Sequence, residues 1–223
     1  MEIKVVKKVL DANDVMAEKN RQLFAENCVL CINVMSSPGS GKTTLLQKTL
    51  VRLMPDIKCA VVVGDICTSN DAERLSESGA PVVQINTDEF GGDCHLAAHV
   101  VREGLTGIDL YETDLLIVEN VGNLVCPAEF DIGEDQRVVV LSTTEGEDKP
   151  LKYPLMFRIC DVGILNKVDL LPHLNFDADL AVANMRKIHP DMPVFRTSAT
   201  TEEGLEEWLG WIREKIEEKR GNA

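Results

Sequence analysis

The chain has 223 residues, 44% hydrophobic but only 4% aromatic, enough to bury one substantial core built from aliphatic side chains. Acidic residues outnumber basic ones 37 to 23, and the net charge of −14 argues against nucleic acid or an anionic membrane as partner. The acidity either serves solubility or favours a protein or metal partner.

No apolar run approaches the roughly 20 residues of a membrane span, and the N-terminus shows no signal-peptide pattern. Seven scattered cysteines form no disulfide framework, so a cytoplasmic protein with reduced thiols is expected.

Residues 1–27 are expected to form a segment ahead of the main domain. Within it, Asp11–Glu26 reads as an amphipathic helix with the stripe Val15, Met16, Leu23 and Phe24, which either packs on the core or faces a partner. Residues 28–223 read as one domain. Strands are predicted at Val29–Met35, Cys59–Val63, Val82–Ile85, Leu115–Val118, Val138–Leu141, Val162–Leu165 and Val194–Phe195. Helices are predicted at Lys42–Met54, Asp71–Ser78, Cys94–Glu103, Leu151–Phe157, Asp179–Ile188 and Glu203–Lys219. This alternation implies an α/β fold, a mostly parallel sheet of about seven strands with helices on both faces. Ligands of such sheets sit beyond the carboxyl ends of the strands, so the residues following each strand carry the functional reading.

Ser36-Ser37-Pro38-Gly39-Ser40-Gly41-Lys42-Thr43-Thr44 follows the first strand and matches G-x-x-x-x-G-K-S/T, except that Ser36 replaces the first glycine. Between a strand and a helix, this P-loop presents the N–H groups of Gly39, Ser40, Gly41, Lys42, Thr43 and Thr44 to phosphate oxygens. Lys42 is expected to reach the outer phosphates and Thr43 to ligate magnesium. Downstream, Asn166-Lys167-Val168-Asp169 follows a strand as the N-K-x-D pattern of guanine readers. A carboxylate at Asp169 accepts from guanine N1–H and the 2-amino group, a donor pair that adenine lacks. Asn166 suits the opposite edge of the base, the Lys167 stem its face, and the small residues Ser198-Ala199 its far side.

Glu119 and Gly122, in Glu119-Asn120-Val121-Gly122 at the end of a predicted strand, are candidates for magnesium-bound water and for sensing the γ-phosphate. Asp65, after the second strand, is the candidate for orienting the attacking water or the metal. No glutamine follows the acid-x-x-glycine stretch, so slow intrinsic GTP hydrolysis to GDP is expected.

A second constellation uses soft ligands. Cys94-His95 is expected to open a helix capped by Asp93, where the helix N-terminus favours a thiolate. Cys126 lies just beyond Gly122, on the segment that should move when the γ-phosphate is lost. Two thiolates and an imidazole suit nickel or zinc with one position open; the alternative is ordinary buried thiols. Cys28 and Cys31 have C-x-x-C spacing but, as strand residues three apart, face opposite ways and read as packing. His95 and His99 share a helix face, yet Leu96 stands where a zinc protease carries its glutamate.

SSPGSGKTTLL, GDICTSNDAERL, the Cys-His-Leu stretch, ENVGNLVCPA, TEGEDKPLKYP and NKVDLLP together resemble the hydrogenase nickel-incorporation GTPases of HypB type, from Ser36 to Pro172. The resemblance implies a SIMIBI-class G domain that forms a GTP-dependent homodimer, with a nickel or zinc site at the dimer interface mapping onto Cys94, His95 and Cys126. It also implies nickel delivery to a hydrogenase large-subunit precursor alongside a small zinc-containing partner protein, for which the N-terminal helix is a reasonable docking element. The chain departs from the family in lacking a Cys-rich or His-rich N-terminal tract, in an altered acidic stretch at residues 86–93, and in Ala97 where an acid is common. The competing readings are a urease-maturation-like GTPase, whose Cys-Pro-His unit is absent, a small-molecule kinase, which has no need of NKVD, and a regulatory GTPase with no metal site.

Overall fold

The computed structural model describes residues 5–65, 70–87 and 94–221, with side chains from residue 12 onward. Seven strands form one sheet: β1 (Leu30–Ser36), β2 (Cys59–Asp65), β3 (Val82–Asn86), β4 (Leu115–Gly122), β5 (Gln136–Ser142), β6 (Val162–Asn166) and β7 (Val194–Thr197). Their order is β3-β2-β4-β1-β5-β6-β7, and every neighbouring pair is parallel. β1 is buried along its whole length, as expected of a central parallel strand covered on both faces.

The helices are α1 (Val5–Glu26), α2 (Lys42–Leu53), α3 (Asn70–Ser76), α4 (Ala98–Gly104), α5 (Lys149–Lys152), α6 (Pro154–Ile159), α7 (Ala178–Ile188) and α8 (Leu205–Gly221). Leu45, Leu46 and Leu50 of α2 and Trp208, Leu209 and Ile212 of α8 cover one face of the sheet. Trp208 Nε1 donates to Thr49 Oγ1 at 3.0 Å and ties those two helices together. On the other face, Phe24 of α1 packs with Val100 and Val101 of α4, while Met156, Phe157 and Met185 of α6 and α7 form a separate cluster.

All seven expected strands are present, and three expectations about helices are corrected. Among the described side chains of α1, the buried face is Asn13, Ala17, Asn20 and Phe24, whereas Val15 is exposed. Their spacing is helical, but two of the four are polar and carry tertiary hydrogen bonds, so an apolar stripe could not reveal them. The helix predicted at Leu151–Phe157 is two short ones, broken at Tyr153 because the residue before Pro154 is biased away from helical geometry. Cys28 is not a strand residue: it turns the chain from α1 into β1 with φ of 57°, while Cys31 is buried within β1.

The helix predicted from Cys94 begins only at Ala98, so Cys94 is not in a first helical turn, and Asp93 lies outside the described residues. The reason is tertiary. Asn13 Oδ1 of α1 accepts the Ala98 N–H at 2.9 Å, so α4 draws its cap from a distant helix.

Candidate nucleotide-binding site

β1 ends at Ser36, and the chain reaches α2 through a loop in which Gly39 and Gly41 have φ of 75° and 87°. Gly41 also leaves no room for a side chain, since a Cβ there would lie 2.7 Å from Asn166 Nδ2. The loop lines a cavity of about 380 Å³ together with Asp65, Asp71, Arg74, Glu119 and Gly122. A phosphate group in this cavity meets the N-terminus of α2, which carries unpaired N–H groups and the positive end of the helix dipole.

Lys42 Nζ donates to Glu119 Oε1 at 2.9 Å and to the Asn120 carbonyl at 2.6 Å. Thr43 Oγ1 donates to the same Glu119 oxygen at 2.8 Å. Glu119 is 1% exposed, and its Oε2 is buried without a partner. It lies inside β4 rather than after it, because that strand continues to Gly122. A carboxylate touching the P-loop threonine, with a second oxygen lacking a donor, fits a magnesium-bound water. Asp65 closes β2 and lines the same cavity, as does Gly122, where a Cβ would come within 3.2 Å of Pro38.

Arg74 escaped the sequence reading. It donates to Thr44 Oγ1 at 2.6 Å at the mouth of the cavity. Its signal lay in DAERL, a helix resuming after Asp65, but an arginine on a short polar helix is indistinguishable there from a solvated one.

On the opposite side of the loop, Asn166 ties the P-loop to the sheet as well as standing at the expected base edge. Its Nδ2 donates to the Ser40 carbonyl at 3.0 Å, and its Oδ1 accepts from Thr197 Oγ1 at 3.2 Å. One N–H and one lone pair of the amide thus clip the P-loop to β7, and the second N–H is left for a ligand. Lys167, in left-handed backbone with φ of 63°, reaches the Gly39 carbonyl at 2.6 Å. Asp169 Oδ1 is buried and has no partner, which suits an acceptor for donors from a ligand. Ser198 and Ala199 follow β7 and are buried, with Ser198 Oγ accepting from the Thr200 and Thr201 N–H groups.

The thiol segments lie beside the phosphate side. Asn123 Nδ2 donates to the Cys94 carbonyl at 3.4 Å, and the His95 ring stacks on Phe130 at 3.7 Å. Cys126 opens a short 3-10 helix, Cys126–Glu129, between those two contacts. Cys94, His95 and Cys126 are all half-buried, and the two segments are neighbours. Among the described residues, however, no three ligand groups converge on a metal position.

The family described as CobW/HypB/UreG, nucleotide-binding domain, matches residues 30–196. The chain is 50% identical over 204 residues to the hydrogenase maturation factor HypB of Escherichia coli K12, covering 92% of this chain and 69% of that one. Among solved structures, HypB from Archaeoglobus fulgidus aligns with a TM-score of 0.86 at 37% identity, covering 93% of this chain and all of that chain. HypB from Helicobacter pylori in complex with nickel aligns with a TM-score of 0.87 at 38% identity, covering 93% and 96%.

Proposed function

The chain belongs to the HypB hydrogenase maturation factors of the CobW/HypB/UreG nucleotide-binding family, and on that footing we propose that it is a GTP-hydrolysing metallochaperone that couples nucleotide state to nickel delivery. One observation carries the reading. A single run of chain, from Glu119 through Gly122 to Cys126, passes from the acid that holds the P-loop lysine, along the phosphate cavity, to a candidate metal ligand. A change in phosphate occupancy at one end of this run displaces a thiol at the other.

In this reading Lys42 and the P-loop amides bind the phosphates, and Thr43, Glu119 and Asp65 are the residues that would hold magnesium. That ion supplies charge neutralisation at the β- and γ-phosphates when bound. Asp169 selects guanine, with Lys167 and Ser198-Ala199 enclosing the base. No glutamine follows the Glu119–Gly122 stretch in the sequence, so slow intrinsic turnover is part of the proposal. Cys94, His95 and Cys126 are the nickel ligands, with zinc the competing occupant of so soft a set.

Because three ligand groups do not converge within one subunit among the described residues, the reading requires either a second copy of the chain or a nucleotide-driven approach of the two segments. A GTP-dependent homodimer supplies the first. The relative from Helicobacter pylori was solved with nickel, which supports nickel as the cargo. The partners are then a small zinc-containing protein and the hydrogenase large-subunit precursor, met in the cytoplasm. The same lack of convergence favours, as the second reading, a GTPase of regulatory or urease-maturation type with no metal site of its own.

Nickel titration of the purified protein with a GTP analogue, with GDP and without nucleotide separates the two, comparing wild type with Cys94→Ala and Cys126→Ala. The metallochaperone requires affinity that changes with nucleotide and falls in both variants. Nickel affinity indifferent to the nucleotide and to both substitutions sinks it.

A further inference from the structure

Asn120 is buried near the end of β4, where that strand carries one residue more than β1 between the pairs Val34–Glu119 and Ser36–Gly122. An extra residue in one strand takes peptide groups out of the ladder and re-aims them. The Asn120 carbonyl accepts instead from Lys42 Nζ at 2.6 Å. Its side-chain Oδ1 accepts from the N–H of Leu96, the residue after His95, at 3.2 Å, and from the Val121 N–H at 3.0 Å. Nδ2 donates to Asn33 Oδ1 at 3.2 Å, and Asn33 Nδ2 donates in turn to Glu134 Oε1 at 3.1 Å. That chain of donors fixes which way the Asn120 amide points.

One residue therefore meets the P-loop lysine with its main chain and the Cys94–His95 segment with its side chain. Leu96 is fully buried over Gly64, where a Cβ would lie 2.7 Å from its Cγ, so the segment is seated without slack beside the end of β2. When Lys42 turns to a phosphate, the Asn120 carbonyl loses a charge-assisted hydrogen bond, about twice as strong as a neutral one. A buried carbonyl so released must find another donor or rotate. Rotation of that peptide turns the Val121 N–H away from Asn120 Oδ1, which loosens the amide that also holds the Leu96 N–H.

We infer that Asn120 is a positioning residue that makes the placement of Cys94 and His95 depend on whether Lys42 is bound to protein or to phosphate. The inference rests on the metallochaperone reading only for its consequence, a metal affinity that follows the nucleotide.

Hydrogen exchange of the full chain tests it without metal, with and without a saturating GTP analogue and magnesium. In wild type, the Leu96 amide should exchange on the order of tenfold faster with the analogue, a change in the range usual for linked sites. In Asn120→Ala it should exchange fast in both conditions, with the nucleotide effect lost. A Leu96 amide in wild type that ignores the analogue overturns the inference, whatever becomes of the variant's folding. Nickel titration of the same samples keeps the two readings apart. If Leu96 responds and nickel affinity does not, Asn120 holds its role and the metallochaperone reading falls; the reverse result sinks Asn120 alone.

Discussion

Replacing Asp169 by asparagine isolates the base-reading half of the site. Asp169 Oδ1 is buried without a hydrogen-bond partner, and the loop that carries it is pinned to the P-loop through Asn166 to Ser40 and Lys167 to Gly39. A rigid carboxylate lacking a donor is matched by guanine, whose N1–H and 2-amino group point the same way. The substituted amide would keep one acceptor and set an NH2 against a guanine donor. The loss of one charge-assisted hydrogen bond plus that mismatch is worth about 3 kcal/mol, and GTP affinity should fall roughly 150-fold. Xanthine carries a carbonyl at the 2-position, so xanthosine triphosphate should bind the Asp169→Asn variant better than it binds wild type. Competition against a fluorescent GTP analogue, with ATP as the third ligand, reads all of these at once. GTP affinity within about threefold of wild type, with no gain for the xanthine nucleotide, would refute the assignment of Asp169 and reopen the choice of base.

The other predictions concern stability. Asn20 is fully buried and donates to the carbonyls of Ala98 at 2.9 Å and Ile132 at 3.0 Å, so Asn20→Ala should destabilise by about 2 kcal/mol. In a chain of this length that lowers the melting temperature by roughly 4–8 °C; an unchanged melting curve would show that α1 is not integral to the fold. At Asp114, burial pushes the carboxyl up, but the Lys58 N–H at 2.9 Å and the Arg220 guanidinium at 2.8 Å outweigh it and hold the group below its usual 3.8. A carboxyl depressed in the folded state adds stability above its unfolded pKa and loses it as pH falls through the folded value. Asp114→Asn should therefore be less stable than wild type in urea at about pH 7, with the gap narrowing as pH falls below the usual carboxylate range; a gap that does not change with pH contradicts the ion-pair assignment.

Much of the sheet was legible because β1, β2 and β4–β6 are short aliphatic runs buried almost throughout, and period and length suffice to find such strands. The P-loop and NKVD were legible as spaced motifs, and the structure shows the backbone demand at Gly41 and a buried carboxylate oxygen without a partner at Asp169. What escaped depends on contacts between residues far apart in sequence. The start of α4 is set by Asn13, not by its own upstream neighbours. Asn33, Asn120 and Glu134 form a buried polar chain that no periodicity marks, and burial pushes the Glu134 carboxyl above its ordinary value even beside Arg137. Asn166 was legible as a residue of the motif, but its engagement with Ser40 and Thr197 follows from how closely β6 and β7 approach the loop after β1.

The Lys42–Glu119 contact also has an energetic consequence for how the site fills. Both side chains are buried, and Glu119 has one oxygen on Lys42 and Thr43 and the other on nothing. If Lys42 moved to a phosphate and nothing replaced it, a carboxylate at 1% exposure would be left with only a threonine hydroxyl. Breaking a buried pair in that way costs on the order of 3–5 kcal/mol, which would cancel much of what the lysine gains from the phosphate. Lys42 can therefore leave Glu119 at low cost only when a cation takes its place there. On the proposed reading, nucleotide alone would be held back by the ion pair, and divalent cation alone by the lysine already present. On the same reading the pair would act as an interlock that favours the nucleotide–cation complex over either component, and the Asn120 carbonyl, held by Lys42 at 2.6 Å, would be released only when the interlock opened.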